Sequence, residues 1–196
     1  MSHWIKDVCL TGVHVELKPM SLDNADELAE AVTDGELWKL WFTQIPNSKD
    51  AYSYIENALA AKNNSGEMPF VIRNIQTNRI IGSTRFCNVD NQSKRVEIGY
   101  TWYRKSAQRT KANTEAKYLL LTHAFEKLEA IAVEFRTHWF NHQSRNAILR
   151  LGAKQDGVLR NHKRMEDGTL RDTVVFSIID SEWSSVKNHL EFKLGL

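Results

Sequence analysis

Only two cysteines, Cys9 and Cys87, occur among the 196 residues. They have neither the pairing nor the spacing of a disulfide or metal framework, which fits a reducing compartment. No apolar run approaches the roughly 20 residues that cross a bilayer, and the opening Met1-Ser-His-Trp-Ile-Lys-Asp7 has no apolar signal core. The chain is therefore expected in the cytoplasm, with no membrane partner. A large excess of one charge is missing as well. A formal net charge of +2 argues against nucleic acid as the partner, although basic residues are locally dense after Tyr103 and between Arg160 and Arg171. Repeats and low-complexity linkers are absent too, so the chain reads as one domain. Glycine is scarce where it matters most, because the basic loop after Tyr103 contains none.

What is present is the composition of an ordinary globular domain, 42% hydrophobic and 26% charged, long enough to bury about 70% of its unfolded surface in one core. Val13, Val15 and Leu17 alternate as a first strand, and Ser21 caps a helix whose Leu22, Ala25, Leu28, Ala29 and Val32 share a face. Residues 34–42 are expected to be a short helical piece, and 50–62 a longer helix stopped by Asn63-Asn-Ser-Gly66. Strands at 69–73, 80–88 and 95–103, separated by polar turns, read as an antiparallel meander. Val133, Phe135 and Thr137 predict a further strand, 144–151 a short helix ended by Gly152, and two last strands flank Asp167-Gly168.

The chemistry concentrates between Glu97 and Lys117. Val96, Ile98, Tyr100 and Trp102 recur at period two with Glu97, Gly99, Thr101 and Tyr103 between them, which predicts one apolar face and one face holding a carboxylate. The period then becomes helical. Asn113 suits the N-cap, and Ala116, Leu119, Leu120, Ala124 and Leu128 form an inward stripe that Leu121 and Phe125 widen. Free N–H groups and the positive end of the helix dipole favour an anion there, among Arg104, Lys105, Arg109 and Lys111. The pyrophosphate of a cofactor suits the place; a solvated basic turn with no ligand is the other reading.

Taken in order, these residues resemble the GNAT superfamily of N-acetyltransferases and, within it, the RimJ/RimL-like branch of ribosomal-protein N-terminal acetyltransferases. The likeness runs through Leu17-Lys-Pro-Met20, Glu97-Ile-Gly-Tyr100, the helix start from Gln108 to Lys117, and Asn141-x-x-Ser144-x-x-Ala147. It continues in Leu151-Gly-Ala153, Arg171-Asp-Thr-Val-Val-Phe-Ser-Ile178 and Glu182-Trp183. The resemblance implies an α/β fold: a mixed, mainly antiparallel sheet of about seven strands, flanked by helices and splayed at a cofactor cleft. The domain would span residues 11–183, with 184–196 as a C-terminal extension. It further implies acetyl-CoA as co-substrate, no metal, and acetyl transfer to a primary amine, a protein N-terminus or a small amine, by direct attack on the thioester. A non-enzymatic acyl-CoA-binding or regulatory protein on the same fold is the alternative reading, and a nucleic-acid-binding domain a more distant one. No oligomeric state follows from the residues.

By the same resemblance, the backbone of Trp102, Tyr103 and Arg104 pairs with the pantetheine amides, and the pyrophosphate rests on the backbone amides of Arg109, Thr110, Lys111, Ala112, Asn113 and Thr114, with Gln108 opening the cofactor-binding motif. Lys111 and Asn113 stand where the common motif has glycine, the residue that lets a backbone approach phosphate closely. Glu97 matches a carboxylate that accepts the amine's proton directly or through water; its other reading is a structural ion pair with Arg85 or Arg136. Asn141 would bond the pantetheine arm and Ser144 protonate the departing thiolate, while from the residues alone both suit a helix cap. His138 and His142 bridge a strand end and a helix start, without the regular helix that zinc spacing needs, and His123 reads as a core histidine. His138-Trp-Phe140 would shape an acceptor pocket faced by Trp38, Trp41 and Phe42, which otherwise are ordinary core.

Overall fold

The computed structural model describes residues 4–165 and 167–196. Eight strands form one sheet: β1 (Leu10–Thr11), β2 (Val15–Pro19), β3 (Met68–Asn74), β4 (Ile80–Asp90), β5 (Arg95–Tyr103), β6 (Ala132–His138), β7 (Lys154–Arg164) and β8 (Leu170–Ile179). Their spatial order is β1-β2-β3-β4-β5-β6-β8-β7. Among the described residues five α-helices accompany them: α1 (Ala25–Thr33), α2 (Ala51–Ser65), α3 (Ala112–Glu126), α4 (His142–Arg150) and α5 (Asp180–Leu194). Every neighbouring pair is antiparallel except β5–β6. Those two are parallel because α3 carries the chain back across the sheet between them. The sheet thus matches the expected mainly antiparallel α/β architecture, with one strand more than the seven anticipated. Among the described residues no helix is long and apolar enough to cross a membrane.

Two cores lie on either side of the sheet. The larger one packs Phe70, Phe86, Phe135 and Phe176 under Ala116, Leu120 and Leu121 of α3 and Val186 and Leu190 of α5. The smaller one sets Leu28 and Val32 of α1 and Ile55 and Ala58 of α2 against Val71, Ile80 and Trp102. Both follow from the helical and strand periodicities, which leave one apolar stripe on each helix and alternating faces on each strand. α2 stops at Gly66, whose φ of +69° is the left-handed conformation that closes a helix without steric cost.

Four expectations are corrected. Val13 is not in a strand; it lies in the turn between β1 and β2, where its amide donates to Glu115. Residues 34–42 hold only a 3-10 turn, Leu37–Lys39, because Glu36 takes a left-handed φ of +47° that breaks the run. Asn113 is the second residue of α3, not its cap; Lys111 occupies that position. Finally, the alternation along β5 is interrupted. Ser83 pairs with Trp102 and Arg85 with Gly99, so two steps on β4 face three on β5, and Tyr100 takes a φ of +51°. This bulge shifts the period. Val96 and Ile98 point into the larger core, Tyr100 emerges 47% exposed, and Trp102 enters the smaller core on the opposite face.

Candidate active site

β5 and β6 begin as a ladder and end as a fork. Their register covers only Arg95–Ala132, Val96–Val133 and Glu97–Glu134. Beyond Glu97 the bulge adds length and twist to β5, and the two strands part. A cavity of about 790 Å³ opens there, lined by the diverging strands, the start of α3, the length of α4 and the hairpin ends of β7 and β8. Its size is that of a cofactor and substrate site. Peptide edges that a closed sheet would pair face each other across it, ready for an extended ligand.

Glu97 stands at the apex of the fork, buried and lining the cavity. Asn88 Nδ2 donates to its Oε2 at 2.6 Å, and Arg136 Nε lies 3.5 Å away. That guanidinium is committed mainly to Glu134, donating from Nη2 at 2.9 Å and Nε at 3.2 Å. Burial pushes the Glu97 carboxyl above the usual carboxylate range; the Asn88 bond and Arg136 oppose the rise, and Glu134 adds to it. Arg85, the other expected partner, instead pairs with Glu67 at 3.0 Å and covers the Tyr100 ring at 4.1 Å. Of the two anticipated ion pairs, one is long and shared and the other is not formed.

Across the fork, Asn141 caps α4 by accepting the Ser144 amide at 3.0 Å, and both residues line the cavity. Capping and a ligand role are compatible, because Asn141 retains its Nδ2 donors and Ser144 its hydroxyl. Trp102, Tyr103, Gln108, Arg109, Thr110 and Asn113 line the same space. Arg104, Lys111, Ala112 and Thr114 do not, and the first two are otherwise engaged. Arg104 donates Nε to Asp34 at 2.9 Å and its amide to the Ile81 carbonyl at 2.8 Å. Lys111 Nζ caps the end of α5 through the Leu194 carbonyl at 2.7 Å. Gln108 Nε2 donates to the Tyr103 carbonyl at 3.0 Å and fixes the loop against β5.

Backbone conformation does not call for glycine at the two positions where the common motif has it. Lys111 has an ordinary helical φ of −67° and Asn113 is already inside α3, so neither position demands glycine; the left-handed φ of +61° falls on Arg109. The backbone ladder of α3 starts with the Glu115 amide donating to the Lys111 carbonyl, and the Ala112 amide donates to Thr110 Oγ1. The remaining first-turn amides point out of the N-terminus, the arrangement that favours an anion.

Sequence reasoning missed Lys117, one turn beyond Asn113 on the same face of α3. Its Nζ is buried beneath the bulge, donating to Thr101 Oγ1 at 2.7 Å and Thr84 Oγ1 at 3.2 Å, and those two hydroxyls are 2.8 Å apart. Among the described residues it has no ion-pair partner, and burial pulls its pKa down to about 7. The signal was a lysine set directly beside the apolar stripe of a largely buried helix.

The aromatic expectations divide. Trp38 packs on the smaller core. Trp41 lies 4.9 Å from His138 and 5.9 Å from Phe140 between ring centroids, and Phe42 lies 6.2 Å from His138, so these four rings gather at the cavity's rim. His142 is exposed in the first turn of α4. His123 is half-buried against Phe86, and burial lowers its pKa.

Known proteins share this architecture. The family model described as an acetyltransferase (GNAT) domain matches residues 14–154. A provisionally assigned ribosomal N-acetyltransferase of Bacillus subtilis (strain 168), YdaF, is 25% identical over 183 residues, 91% of this chain and 98% of that one. A crystal structure from T. thermophilus, provisionally an acetyltransferase, superposes with a TM-score of 0.84 at 32% identity, covering 97% of this chain and 99% of the other. The microcin C7 self-immunity acetyltransferase MccE, solved in complex with acetyl-CoA and AMP, superposes with a TM-score of 0.75 at 20% identity, covering 86% and 93%. With the family model spanning most of its length and the forked sheet in place, the chain belongs to the GNAT family of acetyltransferases.

Proposed function

We propose that the chain transfers the acetyl group of acetyl-CoA to a primary amine, in the manner of the RimJ/RimL-like branch, within the cytoplasm. The observation that carries this reading is the fork itself, with the buried Glu97 at its apex and Ser144 on its far side. The fit to the cofactor rests on the unpaired edges of β5 and β6, which suit an extended amide-bearing arm, and on the open N-terminus of α3, which suits a diphosphate. Gln108, Arg109, Thr110 and Asn113 would hold the anionic end, and the backbone near Trp102 and Tyr103, with Asn141, the arm. Acetyl-CoA supplies an activated acetyl thioester.

The chain's own residues manage the protons. An amine reaches the site largely as an ammonium, and only its neutral form has a free lone pair. Glu97, directly or through a water, removes that proton; a pKa lifted by burial makes it a better base than an ordinary carboxylate. The neutral amine adds to the thioester carbonyl, the carbon–sulfur bond breaks, and Ser144 passes its hydroxyl proton to the departing thiolate while taking up the second proton that the attacking nitrogen sheds. Neither step needs a covalent acyl-enzyme. The acceptor is a protein N-terminus, as the YdaF name indicates for that relative, or a small amine. Calorimetric titration with acetyl-CoA, followed by thiol release with a panel of peptides and small amines, tests the reading. Saturable binding and amine-dependent release are expected; absence of both would overturn it.

A further inference from the structure

We propose that the amine accepted here carries its own oxyanion, a carboxylate or a phosphate, which Arg171 holds with help from His138 and Lys163. This deepens the proposed function and rests on it. The starting observation is a charge left unmatched inside the cavity. Arg171, on β8, lines the cavity and donates Nε to Thr173 Oγ1 at 3.1 Å. Among the described residues no carboxylate lies within ion-pair distance of it. Of the other arginines lining the cavity, Arg136 pairs with Glu134, and Arg109 and Arg150, which have no ion pair among the described residues, are exposed to water, whereas Arg171 is half-buried. Guanidinium groups withdrawn from water are normally paired, because an unpaired one costs solvation that nothing returns.

A second donor independently points the same way. His138 Nδ1 accepts the Phe140 amide at 3.1 Å, so the ring proton sits on Nε2. That Nε2 is buried without an acceptor, on a ring that lines the cavity. Burial and the nearby Arg171 charge lower the imidazole's pKa, with Asp172 opposing, and Nε2 is a donor whether the ring is neutral or charged. Lys163, register partner of Arg171 in the β7–β8 ladder, faces the cavity too and has no ion pair among the described residues.

These donors lie across the fork from the start of α3, so they are separate from the place suited to diphosphate. They surround the end of the cavity where Glu97 waits. A simple ammonium entering there would add positive charge beside Arg171, Lys163 and Arg136. Glu134 is already engaged by Arg95 and Arg136, which leaves Glu97 alone to offset it. An amine that brings an oxyanion removes the conflict: the oxyanion takes the free donors of Arg171 and His138, and the ammonium faces Glu97. Phe42 lines the cavity and offers an apolar surface for the carbon skeleton between them, with the exposed Trp41 and Phe140 rings beside it at the rim. Free amino acids and amino phosphates meet this description; a neutral peptide N-terminus does not.

The test measures binding and turnover of matched probes: phenylalanine against phenylalaninamide, phosphoethanolamine against ethanolamine, and a neutral tripeptide amide. It uses the whole protein and its R171M and R171K variants, with acetyl-CoA affinity confirming that each variant is folded. At least one oxyanion-bearing probe is expected to bind about 10- to 100-fold more tightly than its neutral match, and R171M to abolish that preference through KM. R171K should restore part of it. The phenylalanine and phosphoethanolamine arms tell carboxylate from phosphate. Equal or tighter binding of the neutral probes, the tripeptide amide included, or a preference untouched by R171M, would overturn the proposal. Selective binding without thiol release would instead overturn the transferase reading and leave the oxyanion site standing.

Discussion

Glu97 and Glu115 are both buried, 7% and 2% exposed, in surroundings that differ in kind. Glu115, on α3, accepts the backbone amides of Val13, His14 and Val15 at 2.8, 2.7 and 2.7 Å, so fixed dipoles of the β1–β2 turn satisfy it. Gly12 is part of that fit, since a Cβ there would lie 2.5 Å from the Glu115 carboxyl carbon. Glu97 has one amide side chain and a distant, shared guanidinium. Burial alone therefore does not mark a base. What separates the two is whether the fold commits fixed donors to the carboxylate, as at the turn, or leaves it short of them beside a cavity, as at the fork.

Breaking the turn should have the largest effect. Glu115→Ala strands three amides, and chemical denaturation is expected to register a loss of about 3–5 kcal/mol. At the fork the outcome should invert. Glu97→Gln is expected to lower kcat about 100- to 1,000-fold without loss of stability at neutral pH. The sign follows from the raised carboxyl pKa. Any stability Glu97 contributes is complete below its unfolded pKa and lost as pH rises through the folded value, so melting curves should favour Gln increasingly with pH.

At the same end of the cavity, Arg171→Met is expected to raise acceptor KM tenfold or more, on the order of 1–3 kcal/mol. Lys117 offers the smallest and most pH-specific effect. Its folded pKa of about 7 lies below the ordinary lysine value of 10.5, so burying it costs most below pH 7, and the cost fades as pH rises to the unfolded value. Lys117→Met should raise stability by about 1 kcal/mol at pH 6 and by less at pH 10. Thr84 and Thr101 keep their own bond in either case.

The contrast also shows how far the residues speak for themselves. The strands at 80–88 and 95–103, the core stripe of α3 and the cap at Asn141 were legible because each depends on local periodicity or a local side-chain bond. The face of Trp102 was not, because the bulge at Tyr100 is set by pairing with β4, where Thr84 alone faces Tyr100 and Thr101. Lys111 looked like an anion ligand because it sits in a basic loop, and only the packing of α5 shows that the Leu194 carbonyl holds it. Glu115 passed unnoticed since its partners lie about a hundred residues away in the chain. Arg171 was legible as a motif residue, but its lack of a partner is a property of the assembled cavity.

The proposed role of Glu97 as the base at the fork is tested most directly by the pH dependence of acetyl transfer by the wild-type chain and E97Q, both saturated with acetyl-CoA. The wild-type rate should rise with pH through a group titrating above the ordinary carboxylate range, and that limb should vanish in E97Q while acetyl-CoA affinity is retained. Superimposable profiles, with equal rates across the range, would contradict the assignment.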